Sequence, residues 1–161
     1  MSQYYDVGDE TVWNPSNGAA RLFHAQLGVF EAELGVPSGI GPLENDECRI
    51  DPAALGVFTG ALLARHGSTG HAVVIALSQG FVATVLVLAE RAGAHVRWPP
   101  PPAAGSPEGG RDVQLRLRPP GPTATLPPPA GPSSRASGSY EASRLAELRS
   151  AARELSGSMP R

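Results

Sequence analysis

Glu44, Asp46, Glu47 and Asp51 set four carboxylates around Cys48, the only cysteine in the chain, within the stretch ENDECRIDP. Two chemistries could use such a set. Cys48 could be a nucleophile, or Asp46, Glu47 and Cys48 could join histidines to hold a metal ion. Electrostatics weigh against the nucleophile, because nearby carboxylates disfavour a thiolate and raise the thiol pKa. Arg49 offsets this only in part, and no Cys-x-x-Cys partner exists. The simpler reading makes Cys48 a small buried apolar residue and Asp51 a helix cap. The metal reading draws on His66 and His71, which straddle a turn between two helices, whereas His24 sits mid-helix and His95 follows the core. No His-x-x-x-His spacing puts two imidazoles on one helical face. His66 is also explained by the attraction of a helix C-terminus for a basic side chain. Asp46, Glu47, Cys48, His66 and His71 therefore stand as metal candidates only. No catalytic or cofactor-binding residue is assigned, and no cofactor is expected.

Other motifs carry less. The glycines of GVPSGIGP follow a helix rather than a strand and no lysine comes after them, so they form no phosphate loop. Ser78-Gln79-Gly80 lacks the glycine and strand that precede a nucleophile elbow. Residues 1–96 carry four arginines against ten acids, a net charge of −6, while residues 97–161 carry nine arginines against five acids, a net of +4. An acidic folded part repels phosphate backbones, and no arginine lies between Arg65 and Arg91 where a recognition helix would need one. No nucleic-acid partner is expected. Every basic residue is Arg and none is Lys, which points to the GC-rich codons of a high-GC bacterium.

The elements that must position these residues follow from local signals. YYDV and ETVW flank Gly8-Asp9 as a hairpin, with Tyr5 and Val7 on one face. Asn14 is expected to cap a first helix, with Pro15 in its first turn. Phe23, Leu27, Phe30 and Leu34 mark its buried face, and Gly35 stops it. A loop follows, closing on a short strand ECRI with Cys48 and Ile50 inward. Asp51-Pro52 repeats the cap-then-proline signature for a second helix that buries Leu55, Phe58 and Leu62 and ends at Gly67. Ser68 or Thr69 would cap a third helix reaching about Ala92.

Eighteen residues from Ala72 to Ala89 pass without a charge, long enough to span a membrane. The competing expectation is a central helix buried on all sides. Gln79 would be costly in lipid without a partner, and no basic cluster flanks either end. The buried helix is the expectation.

Twelve of the seventeen prolines lie between Pro99 and Pro132. The chain is thus read as a helical domain with an N-terminal hairpin over 1–96, a Pro/Gly-rich low-complexity linker over 97–138, and an isolated amphipathic helix over 139–156. The linker composition buries little and is expected to be disordered. Within it DVQLRLR, at 112–118, alternates and could add an edge strand. Leu145, Leu148, Ala152 and Leu155 form a stripe too short to hold a coiled coil, so the last helix needs a docking surface or frays.

At YYDVGDETVWNPS, GVPSGIGP, DECRIDP and GFVATVLVLAERAG the order of blocks resembles a small actinobacterial, Streptomyces-type family of unknown function. The resemblance covers about residues 3–93, leaves out the tail and brings no catalytic residues. It implies a soluble protein, although its members carry charges in the third helix where this chain has none.

The fold class expected is mainly α: three helices with a small N-terminal β-hairpin, then the linker and a C-terminal helix. The function expected is a non-enzymatic interaction module in the cytoplasm with an unknown protein partner. The alternatives are a small metal- or thiol-dependent enzyme centred on residues 44–51, and a single-span membrane protein through 72–89. No signal peptide is visible, since MSQYYDVGDE has neither a basic start nor an early apolar run.

Overall fold

A computed structural model describes residues 2–98 and 135–161. The order is β1 (Tyr4–Val7), β2 (Glu10–Trp13), α1 (Asn17–Leu34), β3 (Glu47–Arg49), α2 (Pro52–Ser68), α3 (Ala72–Arg91) and α4 (Arg135–Ser158). The linker expected over 97–138 falls largely outside the described residues, and the strand expected at 112–118 falls wholly outside them.

The hairpin forms where the alternation places it. Tyr5 lies opposite Trp13, and their rings meet at 4.8 Å. Thr11 donates across the pair to the Asp6 carboxylate at 2.6 Å. β3 adds to the other edge of β1 in parallel, giving the order β2-β1-β3 with Tyr5 opposite Cys48. Both Cys48 and Ile50 face inward, as the alternation of ECRI expects.

α1 is capped by Ser16, whose hydroxyl accepts from the Ala19 N–H at 3.4 Å, rather than by Asn14. The reason is tertiary. The Pro15 carbonyl accepts from the Gln3 N–H at 2.9 Å, which ties Pro15 to the sheet and delays the helix by two residues. Gly35 takes φ 65 and donates to the Glu31 carbonyl, so the stop falls where the glycine stands. Asp51 caps α2 as expected, accepting from Ala53 N–H at 2.9 Å. α2 runs past Gly67 to Ser68, and Thr69 closes it by donating to the Arg65 carbonyl. α3 then starts behind His71 with no side-chain cap, contrary to the Ser68 or Thr69 expectation.

The chain turns back after α3 and crosses α2 at two glycines. A Cβ on Gly56 would sit 2.5 Å from the His95 carbonyl oxygen, and one on Gly60 would sit 3.1 Å from that of Arg97. Only glycine lets the backbones approach this closely.

α3 corrects the expectation of burial on all sides. Its second half, Phe81 to Ala89, is almost wholly buried. Phe81 stacks on Phe30 at 4.8 Å and meets Phe23 at 5.5 Å, so α1 crosses α3 there. In the first half, Val73 is 58% and Leu77 74% exposed, and nothing among the described residues covers them. The helix is long and apolar enough to cross a membrane, with a mean hydropathy of 2.3, yet half of that window lies inside the bundle.

α4 finds its docking surface on α3. It is longer than the 139–156 expected, and Leu148 (1% exposed) belongs to the common core with Leu145, Ala152 and Leu155 packed beside it. The two helices run parallel. Near the start of α3, Arg144 donates to the Thr69 carbonyl. At its end, Arg91 donates to the carbonyls of Ser156 and Met159, each at 2.9 Å, and to that of Val12 at 3.0 Å.

Candidate functional site

Cys48 is 1% exposed on the middle strand position of β3, across from Tyr5. Its thiol donates to the Gly41 carbonyl at 3.1 Å. Burial, then the nearby Asp6 charge, pushes its pKa up to about 12. A thiol held protonated so far above neutrality is a poor nucleophile. The Tyr5 hydroxyl is also pushed up, chiefly by burial and secondly by Cys48.

The acids beside it have different roles. Asp46 takes the left-handed conformation at φ 66, following Asn45 at φ 52. Its carboxylate accepts from the Gln3 side-chain amide at 2.8 Å, and its carbonyl accepts from Tyr4 N–H at 2.8 Å. Asp46 therefore fastens the loop to the start of β1, a task its sequence position does not advertise. Glu47 is exposed, and its N–H and carbonyl close a small turn with Glu44. Beside it Gly41, Pro42, Glu44, Asn45 and Arg49 line an open trough of about 220 Å³.

His66 and His71 part company. His71 is exposed in front of α3. His66 is 4% exposed, with Nδ1 3.1 Å from the Ser78 hydroxyl. Ser78 in turn donates to the Val74 carbonyl at 2.8 Å, so the hydroxyl oxygen accepts from Nδ1–H. Burial, reinforced by the Arg144 cation, lowers the His66 pKa. Phe30, Leu62, Val74 and Val82 line a crevice of only about 10 Å³ beside this pair, next to an ion pair between Arg65 and Glu33 at 2.8 Å. Asp46, Glu47 and Cys48 belong to the β3 side of the fold, and His66 to the α2–α3 side. Among the described residues no three His, Cys, Asp or Glu side chains are placed to hold a metal ion.

Several polar residues of consequence give little local signal. Gln3 is 8% exposed, and its amide nitrogen also donates to Asn17 Oδ1 at 3.1 Å. Among the described residues, Gln3 Oε1, Tyr5 Oη and His24 Nε2 are buried without a partner. His24 lies against Tyr5 at 5.8 Å, and burial lowers its pKa against the pull of Glu31. Ser78 alone offered a hint, as a hydroxyl inside an eighteen-residue uncharged run.

A family model described as a family of unknown function (DUF6086) matches residues 1–161, the tail included, and so extends beyond the 3–93 of the resemblance. No curated protein and no solved structure matches the chain.

Proposed function

The chain belongs to DUF6086, a family of unknown function, and we propose that it acts as a non-enzymatic protein-interaction module in the cytoplasm. The observation that carries this reading is the uncovered first half of α3. Val73 and Leu77 lie on one side of a helix that has no charge from Ala72 to Ala89, and both stand in solvent while its second half is packed. Exposed large apolar side chains grouped in this way suit a protein contact better than a solvated surface. Its partner would present an apolar helix face of its own. The thiol chemistry of an enzyme gains no support from Cys48, which is buried and firmly protonated. Net charge over residues 1–96 disfavours nucleic acid.

The test compares the wild-type chain with Val73→Glu/Leu77→Glu, purified by affinity from the native host. Both substitutions fall at exposed sites, so the fold and melting temperature should be kept. Loss of a co-purifying protein in the variant alone supports the module. Identical companions in both, or recovery of the wild type only with membranes, would sink it.

A further inference from the structure

We infer that His66 and Arg144 form an acid-sensitive latch, which holds the front of α4 on the α2–α3 turn at neutral pH and lets it go when His66 is protonated. This does not rest on the interaction reading above. His66 lies in the last turn of α2, is 4% exposed, and shares a small cleft with Leu62, Phe30, Val74 and Val82. Its Nδ1–H is committed to Ser78, whose own hydrogen is committed to Val74. A proton arriving at Nε2 would therefore place a full charge among apolar side chains.

The charges facing that site come from three of the four helices around it. α1 offers Glu33, but this carboxylate is engaged by Arg65 of α2 at 2.8 Å. α3 offers no charge from Ala72 to Ala89. α4 offers Arg144, a second cation, fixed by its bond to the Thr69 carbonyl three residues beyond His66. A protonated His66 would make a third cation against one occupied carboxylate. Arg65 keeps its carboxylate partner Glu33, whereas Arg144 holds to a neutral carbonyl, that of Thr69, and is the cation that withdraws. Its departure frees the front of α4, while Arg91 still grips the rear through Ser156 and Met159.

The direction of the pH effect follows from linkage. The docked state holds His66 below its ordinary value of 6.5, so the released state binds the proton more readily. Docking is then fully favoured above pH 6.5 and is lost as the pH falls below it. One unit below 6.5, a single histidine can shift the balance by up to about tenfold.

Hydrogen exchange on the full chain, with rates corrected for intrinsic pH dependence, reads this directly. Between pH 7.5 and 5.5 the amides around Arg144 to Leu148 should lose protection by up to about tenfold, while those of α2 and the second half of α3 keep theirs. His66→Gln, which cannot titrate, should abolish the loss. Arg144→Gln, at a half-exposed site, should show reduced protection in the same amides already at pH 7.5. Equal losses in wild type and His66→Gln would assign the effect to His71 or His24 and overturn the latch. So would parallel losses throughout the bundle, or an Arg144→Gln chain with α4 fully protected.

Discussion

Arg91 is the residue whose replacement should cost most for the least buried volume. Its guanidinium donates to Ser156 and Met159 carbonyls at 2.9 Å, to Val12 at 3.0 Å and to Pro160 at 3.3 Å. Ser156 carries a last-turn carbonyl of α4, which lacks an intrahelical partner, and Met159 is the residue that closes the helix. A charged donor contributes about 1.5–3 kcal/mol per bond net, but the four share one group and the Pro160 bond is exposed, so they do not add. Two parallel helices also bring their negative C-terminal ends together, and a cation between them recovers roughly 0.3–1 kcal/mol. Arg91→Met should therefore loosen α4 by about 2–3 kcal/mol, since both the fork and the charge go. Arg91→Lys keeps the charge and loses the fork, and should recover about 1 kcal/mol of that. Native-state hydrogen exchange of α4 measures the difference, which for Arg91→Met amounts to a loss of protection of at least about thirtyfold. Urea unfolding of the full chain should show a lower midpoint as well. If Arg91→Met stays within about 0.5 kcal/mol of wild type, the guanidinium does not anchor α4 and the reasoning fails.

Three further outcomes are expected. Gly56→Ala should lower stability by about 1–3 kcal/mol, because its Cβ would meet the His95 carbonyl at 2.5 Å, whereas Gly80→Ala, with nothing within 4 Å, should be neutral or stabilising; thermal melts compare them. Asp51→Ala should cost about 1 kcal/mol and Asp51→Asn almost nothing, since either oxygen can accept from Ala53 N–H; equal costs in a denaturant titration would deny the cap. Cys48 should resist a thiol reagent at pH 8 in the folded chain and react at once in denaturant, because its pKa near 12 and its 1% exposure both withhold the thiolate; rapid native labelling would contradict its burial.

Much of the fold was legible because its signals are local. The alternation of ECRI placed Cys48 inward, Asp51-Pro52 marked the start of α2, and Gly35 ended α1. What failed to show depends on distant residues. Nothing near Asn14 reveals that Gln3 claims the Pro15 carbonyl and moves the cap to Ser16. The run from Ala72 to Ala89 reads as uniformly apolar, and only its packing against α2, α4 and, at Phe81, α1 decides which half is covered. In the candidate site the raised pKa of Cys48 was expected from its acidic sequence neighbours, whereas its causes are burial and then Asp6, a strand away in β1. The tie between Asp46 and Gln3 spans 43 positions, and that between His66 and Ser78 bridges two helices, so neither leaves a pattern along the chain.

The parallel course of α3 and α4 has a consequence in polymer terms. Trp98 lies under the guanidinium of Arg149, and α4 begins fourteen residues before that arginine, about 21 Å away along the helix. Residues 99–134 supply 36 residues to cover this gap, where about seven would reach if fully extended. They form a covalent tether with several times the contour length the gap needs, which makes the docking of α4 on α3 an intramolecular event. A helix arriving in trans must outcompete that local supply. Halving the tether would change the closure entropy by only about 0.6 kcal/mol, whereas cutting it below the gap would force α4 onto a neighbouring chain.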